Sequence, residues 1–227
     1  MINSAIDVPV LALDGPSGSG KGTIGQYCAH ELGWSYLDSG AIYRALAWLS
    51  LQENVRTDIE QELVDLADRL QLICHVRIGD VAQIEVNGQF VTEELRTEEI
   101  ASVASKIAPY AKVRAALLQL QREFRQSPGL VADGRDMGTT VFPDASYKVF
   151  LTASAEVRAQ RRFDQLQQKG FNVSIARLLE SIQERDARDS GRSASPLLPA
   201  DDAIIIDTSA LSIEQVNAQI LGLIKNC

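Results

Sequence analysis

The stretch Asp14-Gly15-Pro16-Ser17-Gly18-Ser19-Gly20-Lys21-Gly22-Thr23 holds the residues whose types and spacing most clearly imply chemistry. Glycines admit positive φ, so successive N–H groups can turn inward around one anion. The helical pattern that follows the loop aims its N-terminal N–H groups at the same point. Lys21 adds a mobile positive charge suited to terminal phosphates. The plainer reading is a glycine-rich turn with a surface lysine. The full Gly15-x4-Gly20-Lys21 spacing, placed after the apolar run Val10-Leu11-Ala12-Leu13, weighs against it.

Arginines form the second set. Arg44 follows Asp38-Ser39-Gly40, and Arg135 follows the apolar run Leu130-Val131-Ala132. Arg158, Arg161 and Arg162 share one predicted helix, and Arg185, Arg188 and Arg192 come later. Guanidinium groups bind phosphate oxygens in bidentate fashion and stay charged. Transfer between two polyanions needs such cations, because the reactants repel and charge spreads over the moving phosphoryl oxygens. Any single arginine can instead be a solvated surface residue. That reading is weakest for Arg44, Arg135 and Arg192, which sit beside glycines or turn signals.

These residues need elements to hold them. Apolar runs predict five strands: Val10–Leu13, Trp34–Leu37, Leu130–Ala132, Tyr147–Leu151 and Ile204–Ile206. Helical periodicity lies between them, so the fold class is α/β with a mostly parallel sheet covered on both faces. Gly33 is a predicted helix stop, Ser174 a helix cap, and Ser212-x-x-Gln215 a capping box. A different pattern interrupts the alternation. Leu72–Ile78 and Val81–Val86 read as strands, and Asn87-Gly88 as a hairpin turn, giving a small antiparallel unit at about Leu72–Glu94.

Composition narrows the function classes. The 227 residues carry 22 basic and 30 acidic side chains, a net charge of −8. An acidic chain is poorly suited to tracking a nucleic-acid backbone, so phosphate binding must come from local arginines. Cys28, Cys74 and Cys227 show no metal or redox spacing, and His30 and His75 do not make a zinc site with them. Residues 1–7 lack a charged, apolar signal, and no apolar run approaches membrane-spanning length. A soluble cytoplasmic protein with reduced thiols is expected.

The chain resembles the bacterial cytidylate kinases, a branch of the nucleoside monophosphate kinases, from end to end. The segments that carry the resemblance are Asp14 to Thr23, Asp38-Ser39-Gly40-Ala41-Ile42-Tyr43-Arg44, Ala132-Asp133-Gly134-Arg135-Asp136-Met137-Gly138-Thr139, Val141-Phe142-Pro143-Asp144-Ala145, and Arg185-Asp186 through Asp189 to Arg192 with Pro196-Leu197. Gly-Lys-Gly-Thr, with the hydroxyl two places after the lysine, is nearer to these kinases than to GTPases.

The resemblance implies a single kinase domain over 1–227. Its P-loop core with a five-stranded parallel sheet would take in 1–40, 111–160 and 193–227. The monophosphate-binding region with the β insert would cover about 41–110, and a helical lid about 163–182. The implied reaction is ATP plus CMP or dCMP giving CDP or dCDP by direct in-line transfer with Mg²⁺, in pyrimidine nucleotide metabolism. ATP would be held by Gly15, Pro16, Ser17, Gly18, Ser19, Gly20, Lys21, Gly22 and Thr23, with Arg158 and Arg161. The acceptor site would comprise Ser39, Tyr43, Arg44, Ser105, Arg114, Asp133, Arg135, Asp136, Arg185, Asp189 and Arg192. Within it Arg44, Arg135 and Arg192 suit the phosphate, Ser105, Arg114 and Asp136 the base edge, and Arg185 and Asp189 the ribose. Lys21, Arg135 and Arg192 would be catalytic. No firm protein ligand for the metal is implied; Thr23, and Asp133 through a water, are the candidates. The expected partners are these small molecules alone, with no nucleic acid and no membrane, acting on a monomer.

Three rival readings stand beside this one. A regulatory GTPase would need Asn-Lys-x-Asp and Asp-x-x-Gly, and neither is present. A kinase for another acceptor, such as UMP, AMP or shikimate, differs only in pocket residues. A nucleic-acid module built on the antiparallel unit is disfavoured by net charge and by few aromatics.

Overall fold

A computed structural model describes residues 8–75, 83–168, 170–192 and 194–225, with only the backbone of His75. In chain order it contains β1 (Val10–Asp14), α1 (Lys21–Leu32), β2 (Ser35–Asp38), α2 (Ser39–Gln52), α3 (Glu60–Ala67), β3 (Leu72–His75), β4 (Gln83–Val86), β5 (Gln89–Phe90), α4 (Glu98–Ile107), α5 (Ala111–Arg122), β6 (Leu130–Asp133), β7 (Tyr147–Thr152), α6 (Ala155–Gln168), α7 (Ile175–Ser190), β8 (Ile204–Asp207) and α8 (Ile213–Lys225). The expected strands over Leu72–Ile78 and Val81–Val86 are described only through His75 and from Gln83. Cys227 and residues 1–7 lie outside the described residues.

The chain divides into two compact units. The first comprises residues 1–37 and 124–227. Its five-stranded parallel sheet has the order β2-β6-β1-β7-β8. The register pairs Leu13 with Asp133 and Val149, and Thr152 with Asp207. The central strand β1 is buried throughout, as a near-continuous apolar run requires when both faces of a sheet are covered. Leu11 and Leu13 pack with Val131, Val149 and Leu151 against Ile24 and Cys28 of α1 and Val216 and Ile220 of α8. Two helix termini follow the sequence closely. Gly33 ends α1 in the left-handed conformation. Ser212 and Gln215 exchange hydrogen bonds of 2.9 and 3.3 Å at the start of α8, the expected capping box.

The second unit spans Asp38–Glu123. Leu63, Leu66, Leu95, Ile107 and Leu117 are fully buried among its helices. Its antiparallel sheet has the order β3-β4-β5. Asn87 and Gly88 both adopt positive φ, which the two-residue hairpin turn demands. Asn87 Oδ1 also accepts the Gln71 N–H at 2.8 Å, so the turn residue closes the start of the unit as well.

Candidate active site

Parallel strands deliver their C-terminal ends to one edge, where open α/β sheets bind ligands. The residues there are polar: β1 ends in Asp14, β6 in Asp133, β7 in Thr152 and β8 in Asp207. The glycine loop leaves the end of β1. A Cβ on Gly15 would lie 2.0 Å from the Leu151 carbonyl oxygen, so only glycine fits there. Gly20 caps α1 in the left-handed conformation. Lys21 is 5% exposed and donates to the Pro16 carbonyl at 2.8 Å. The same carbonyl accepts from the Ser19 hydroxyl at 3.0 Å. Burial and then the Arg135 guanidinium push the Lys21 pKa down, while Asp133 and Asp14 partly oppose them. Arg185 adds to the positive side of this balance.

The Asp133 carboxylate accepts from the Tyr36 hydroxyl at 3.1 Å. A Cβ on Gly22 would come within 3.6 Å of Asp133, and one on Gly25 within 2.8 Å of the Tyr36 ring. Gly25 therefore lets the Tyr36 ring approach the helix, whereas the spacing at Gly22 is ordinary contact. Beyond Asp133 the chain enters a π-helical turn, Met137–Val141, which no periodicity in the sequence announces.

Asp189, at the end of α7, is 3% exposed. One carboxylate oxygen accepts Arg135 Nε at 2.9 Å, and the other accepts from Arg192. Burial alone would raise the Asp189 pKa. The Arg135 and Arg192 guanidiniums outweigh it and hold the group below its ordinary 3.8. The three residues thus form a cation–anion–cation group around a buried carboxylate, in the same unit as the glycine loop. Sequence reading treats Asp189 only as a ribose ligand; the structure also makes it the link between two candidate phosphate-binding arginines.

Arg158 and Arg161 have extensive protein partners. Arg158 donates to the Ala153 and Ser17 carbonyls at 2.9 and 3.1 Å and makes a bidentate pair with Asp186 of α7. Arg161 donates to the Thr208 carbonyl and hydroxyl, and that hydroxyl donates to Ser19 O at 3.1 Å. Both arginines therefore brace the glycine loop. Asp186, Thr208 and Tyr36 are supporting residues that sequence reading assigned no role.

In the Asp38–Glu123 unit, Asp38 caps α2 through the Ala41 N–H at 3.0 Å and takes Arg44 Nη2 at 2.7 Å. The Ser39 hydroxyl donates to Gln121 Oε1 at 2.9 Å. The Arg114 guanidinium lies 5.8 Å from the centre of the Tyr43 ring, within cation–π range. Two buried atoms, Arg44 Nε and Ser105 Oγ, have no hydrogen-bond partner among the described residues. A buried polar atom left unpaired costs about 1–3 kcal/mol, which a ligand can recover.

No cluster of three or more His, Cys, Asp or Glu side chains suited to a metal occurs among the described residues. Mg²⁺ usually takes one or two carboxylates together with substrate phosphates, so the Asp133 carboxylate and the exposed Thr23 hydroxyl at the start of α1 are each donors of a fitting chemical kind. No described helix is long and apolar enough to cross a membrane.

The sequence matches the family model for cytidylate kinase over residues 11–226. It is 54% identical to a cytidylate kinase of Aeromonas hydrophila over 94% of this chain and 93% of that one. It is 52% identical to a cytidylate kinase of Shewanella baltica over 96% and 95%. Among solved structures, a shikimate kinase from Acinetobacter baumannii aligns with TM-score 0.48 and 17% identity over 98% of this chain and 96% of that one, a likeness too loose to bear on the acceptor. A family match of nearly full length, joined to relatives sharing more than half of their positions, means that the chain belongs to the cytidylate kinase family.

Proposed function

We propose that the chain transfers the γ-phosphoryl group of ATP to CMP, and to dCMP, giving CDP or dCDP. One observation carries this reading: the Arg135–Asp189–Arg192 group, centred on a buried carboxylate, shares a unit with the glycine loop and Lys21. Convergent fixed cations are what transfer between two polyanions needs. The relatives' name favours CMP over UMP as the acceptor.

In this reading Gly15 to Thr23 hold the ATP phosphates, and Arg158 and Arg161 keep the loop in shape from behind. Lys21 is held at depressed pKa by burial and by Arg135. A bound triphosphate brings negative charge beside it and secures its protonated form. Arg44, Arg135 and Arg192 take the acceptor phosphate. Ser105, Arg114 and Asp136 address the base, and Arg185 and Asp189 the ribose. Ser39 and Tyr43 complete the acceptor residues of α2. An acceptor phosphate oxygen is already anionic near neutral pH, so no residue must remove a hydroxyl proton. Positioning and charge stabilisation carry the reaction.

Asp133, through a water, and Thr23 are the residues that would hold Mg²⁺, which supplies charge neutralisation on the ATP phosphates. The α6–α7 hairpin, around 163–182, is the lid in this reading. Its exposed Phe171 and Ile175 can cover a closed site and exclude water, a competing acceptor. A monomer in the cytoplasm, where ATP is plentiful, belongs to the same reading. The test is a coupled ADP-release assay across CMP, dCMP, UMP, AMP, shikimate and no acceptor. Turnover should be greatest with CMP or dCMP. Equal rates with UMP, or ADP release independent of any acceptor, would overturn the assignment.

A further inference from the structure

We propose that Asp14 is a positioning residue for phosphoryl transfer: its carboxylate ties the turn carrying Arg135 and Asp136 to the base of the glycine loop. The inference rests on the proposed acceptor role of that turn.

Asp14 ends β1 and is 4% exposed. Its Oδ1 accepts the Met137 N–H and its Oδ2 the Gly138 N–H, each at 2.8 Å. At the other end of the turn the Gly134 N–H donates to the Leu13 carbonyl at 3.0 Å. Arg135 and Asp136 therefore lie on a span clamped at both ends to consecutive residues of the central strand. Gly15, the next residue, begins the glycine loop. From one point in β1 the donor-side loop runs one way, and the acceptor-side turn is fastened the other way.

A carboxylate is the side chain this junction requires. Two N–H donors need two acceptor oxygens. An asparagine of the same shape offers one oxygen and turns an N–H₂ group toward the second donor. The ionised group is costly here. Burial raises the Asp14 pKa to about 7, the two N–H bonds and Lys21 of α1 oppose that shift, and Asp136 on the turn reinforces it. On the β7 side the nearest charged side chain is Lys148, which packs on Gly138 while its ammonium bonds Pro143 O and Asp202. Below neutral pH the protonated carboxyl loses one acceptor, and one clamp on the turn loosens.

The test compares Asp14→Asn, Arg135→Ala and wild type in kcat and KM between about pH 5.5 and 8.5, normalised to folded protein. A displacement of about 1 Å at a reacting centre can cost roughly 100-fold. Asp14→Asn is therefore expected to lower kcat about 10–100-fold at pH 8 while leaving KM for ATP within about threefold. The wild-type-to-variant ratio should shrink as pH falls below about 7, because only wild type has a carboxylate to lose. Titration of the CMP phosphate, near pH 6, is common to both proteins and cancels. A ratio constant with pH, or a loss matching the loss of folded protein, overturns the proposal. If Asp14→Asn does not fold, the midpoint of the wild-type kcat profile at saturating substrates decides instead: a fall centred near pH 7 supports the proposal, and a flat profile or a fall centred near pH 6, where the CMP phosphate itself titrates, overturns it. Arg135→Ala separates the two levels of the argument. Retained activity there means that the acceptor reading is wrong. Lost activity with a pH-independent Asp14→Asn ratio means that only the role of Asp14 is wrong.

Discussion

Two buried carboxylates of the first unit meet burial in opposite ways. Asp14, at the end of β1, is satisfied by two backbone N–H groups, and its pKa rises to about 7. Asp189, at the end of α7, sits between two guanidiniums, and its pKa falls. Backbone dipoles fix geometry without supplying a compensating full charge, whereas arginines supply both. The junction at Asp14 therefore holds backbone in place through hydrogen-bond geometry, with no guanidinium paired to its carboxylate. The group at Asp189 stores positive charge, since two cations share one anion. The first arrangement suits alignment, and the second suits stabilising a transferred anion.

The contrast is broken most strongly at Lys21, the cation nearest the Asp14 side. Lys21→Met should reduce turnover about 10³-fold or more, while calorimetric affinity for CMP changes little, because charge is lost where it develops in the transition state. Near-normal turnover in a folded variant would remove the glycine loop from catalysis. Removal of Lys21 should also push the Asp14 pKa higher, since that ammonium is among the influences holding it down.

On the other side, Arg192→Ala leaves Asp189 with Arg135 alone. If Arg192 engages the transferring phosphate, kcat should fall about 100-fold and KM for CMP should rise far less. A change confined to KM would reassign Arg192 to ground-state binding.

Local signals in the sequence reach part of this arrangement. The glycine loop is legible because glycine spacing and the preceding apolar run act within a dozen residues. The Asn87-Gly88 turn and the Ser212–Gln215 capping box are legible for the same reason. The Asp189 group is not, because Arg135 lies 54 positions away and only the folded chain brings them together. Arg158 reaches Ser17 across 141 positions. An arginine that binds phosphate and one that braces a loop look alike before the fold is known. Asp14 carried one unused signal, a charged residue closing a strand whose other four residues are apolar. The π-helical turn after Asp136 offered none.

A smaller effect is expected at Asp136, which shares its turn with Arg135. Cytosine presents an amino donor where uracil presents a carbonyl. A carboxylate accepting that amino group would meet the uracil oxygen unfavourably. Mispaired buried polar groups cost about 1–3 kcal/mol, roughly 10- to 100-fold in kcat/KM. Asp136→Asn can donate as well as accept, so it should narrow the CMP-to-UMP ratio about tenfold, chiefly by improving UMP. An unchanged ratio in a folded, active variant would leave base selection to Ser105 and Arg114.

The finest test of the contrast is the pH dependence of stability, where the two carboxylates must act with opposite sign. Asp189 has a folded pKa below its ordinary 3.8, so its stabilisation is fully present above about pH 4 and is lost as pH falls through the folded value. Asp14 has a folded pKa raised from 3.8 to about 7, so between those values the folded protein binds the extra proton. Its contribution to stability therefore declines as pH rises from about 4 to 7. Urea unfolding of wild type, Asp189→Asn and Asp14→Asn over about pH 3–8 separates the two. Asp189→Asn should be less stable than wild type at neutral pH by up to about 3 kcal/mol, because two cations are left side by side. That gap should close below about pH 4. Relative to Asp14→Asn, wild type should instead lose ground as pH rises toward 7, by about 1–3 kcal/mol, the scale of an incompletely compensated buried group. Gaps that run parallel with pH for both variants would mean that the two sites do not differ in protonation. The division between an aligning junction and a charge-storing group would then fail.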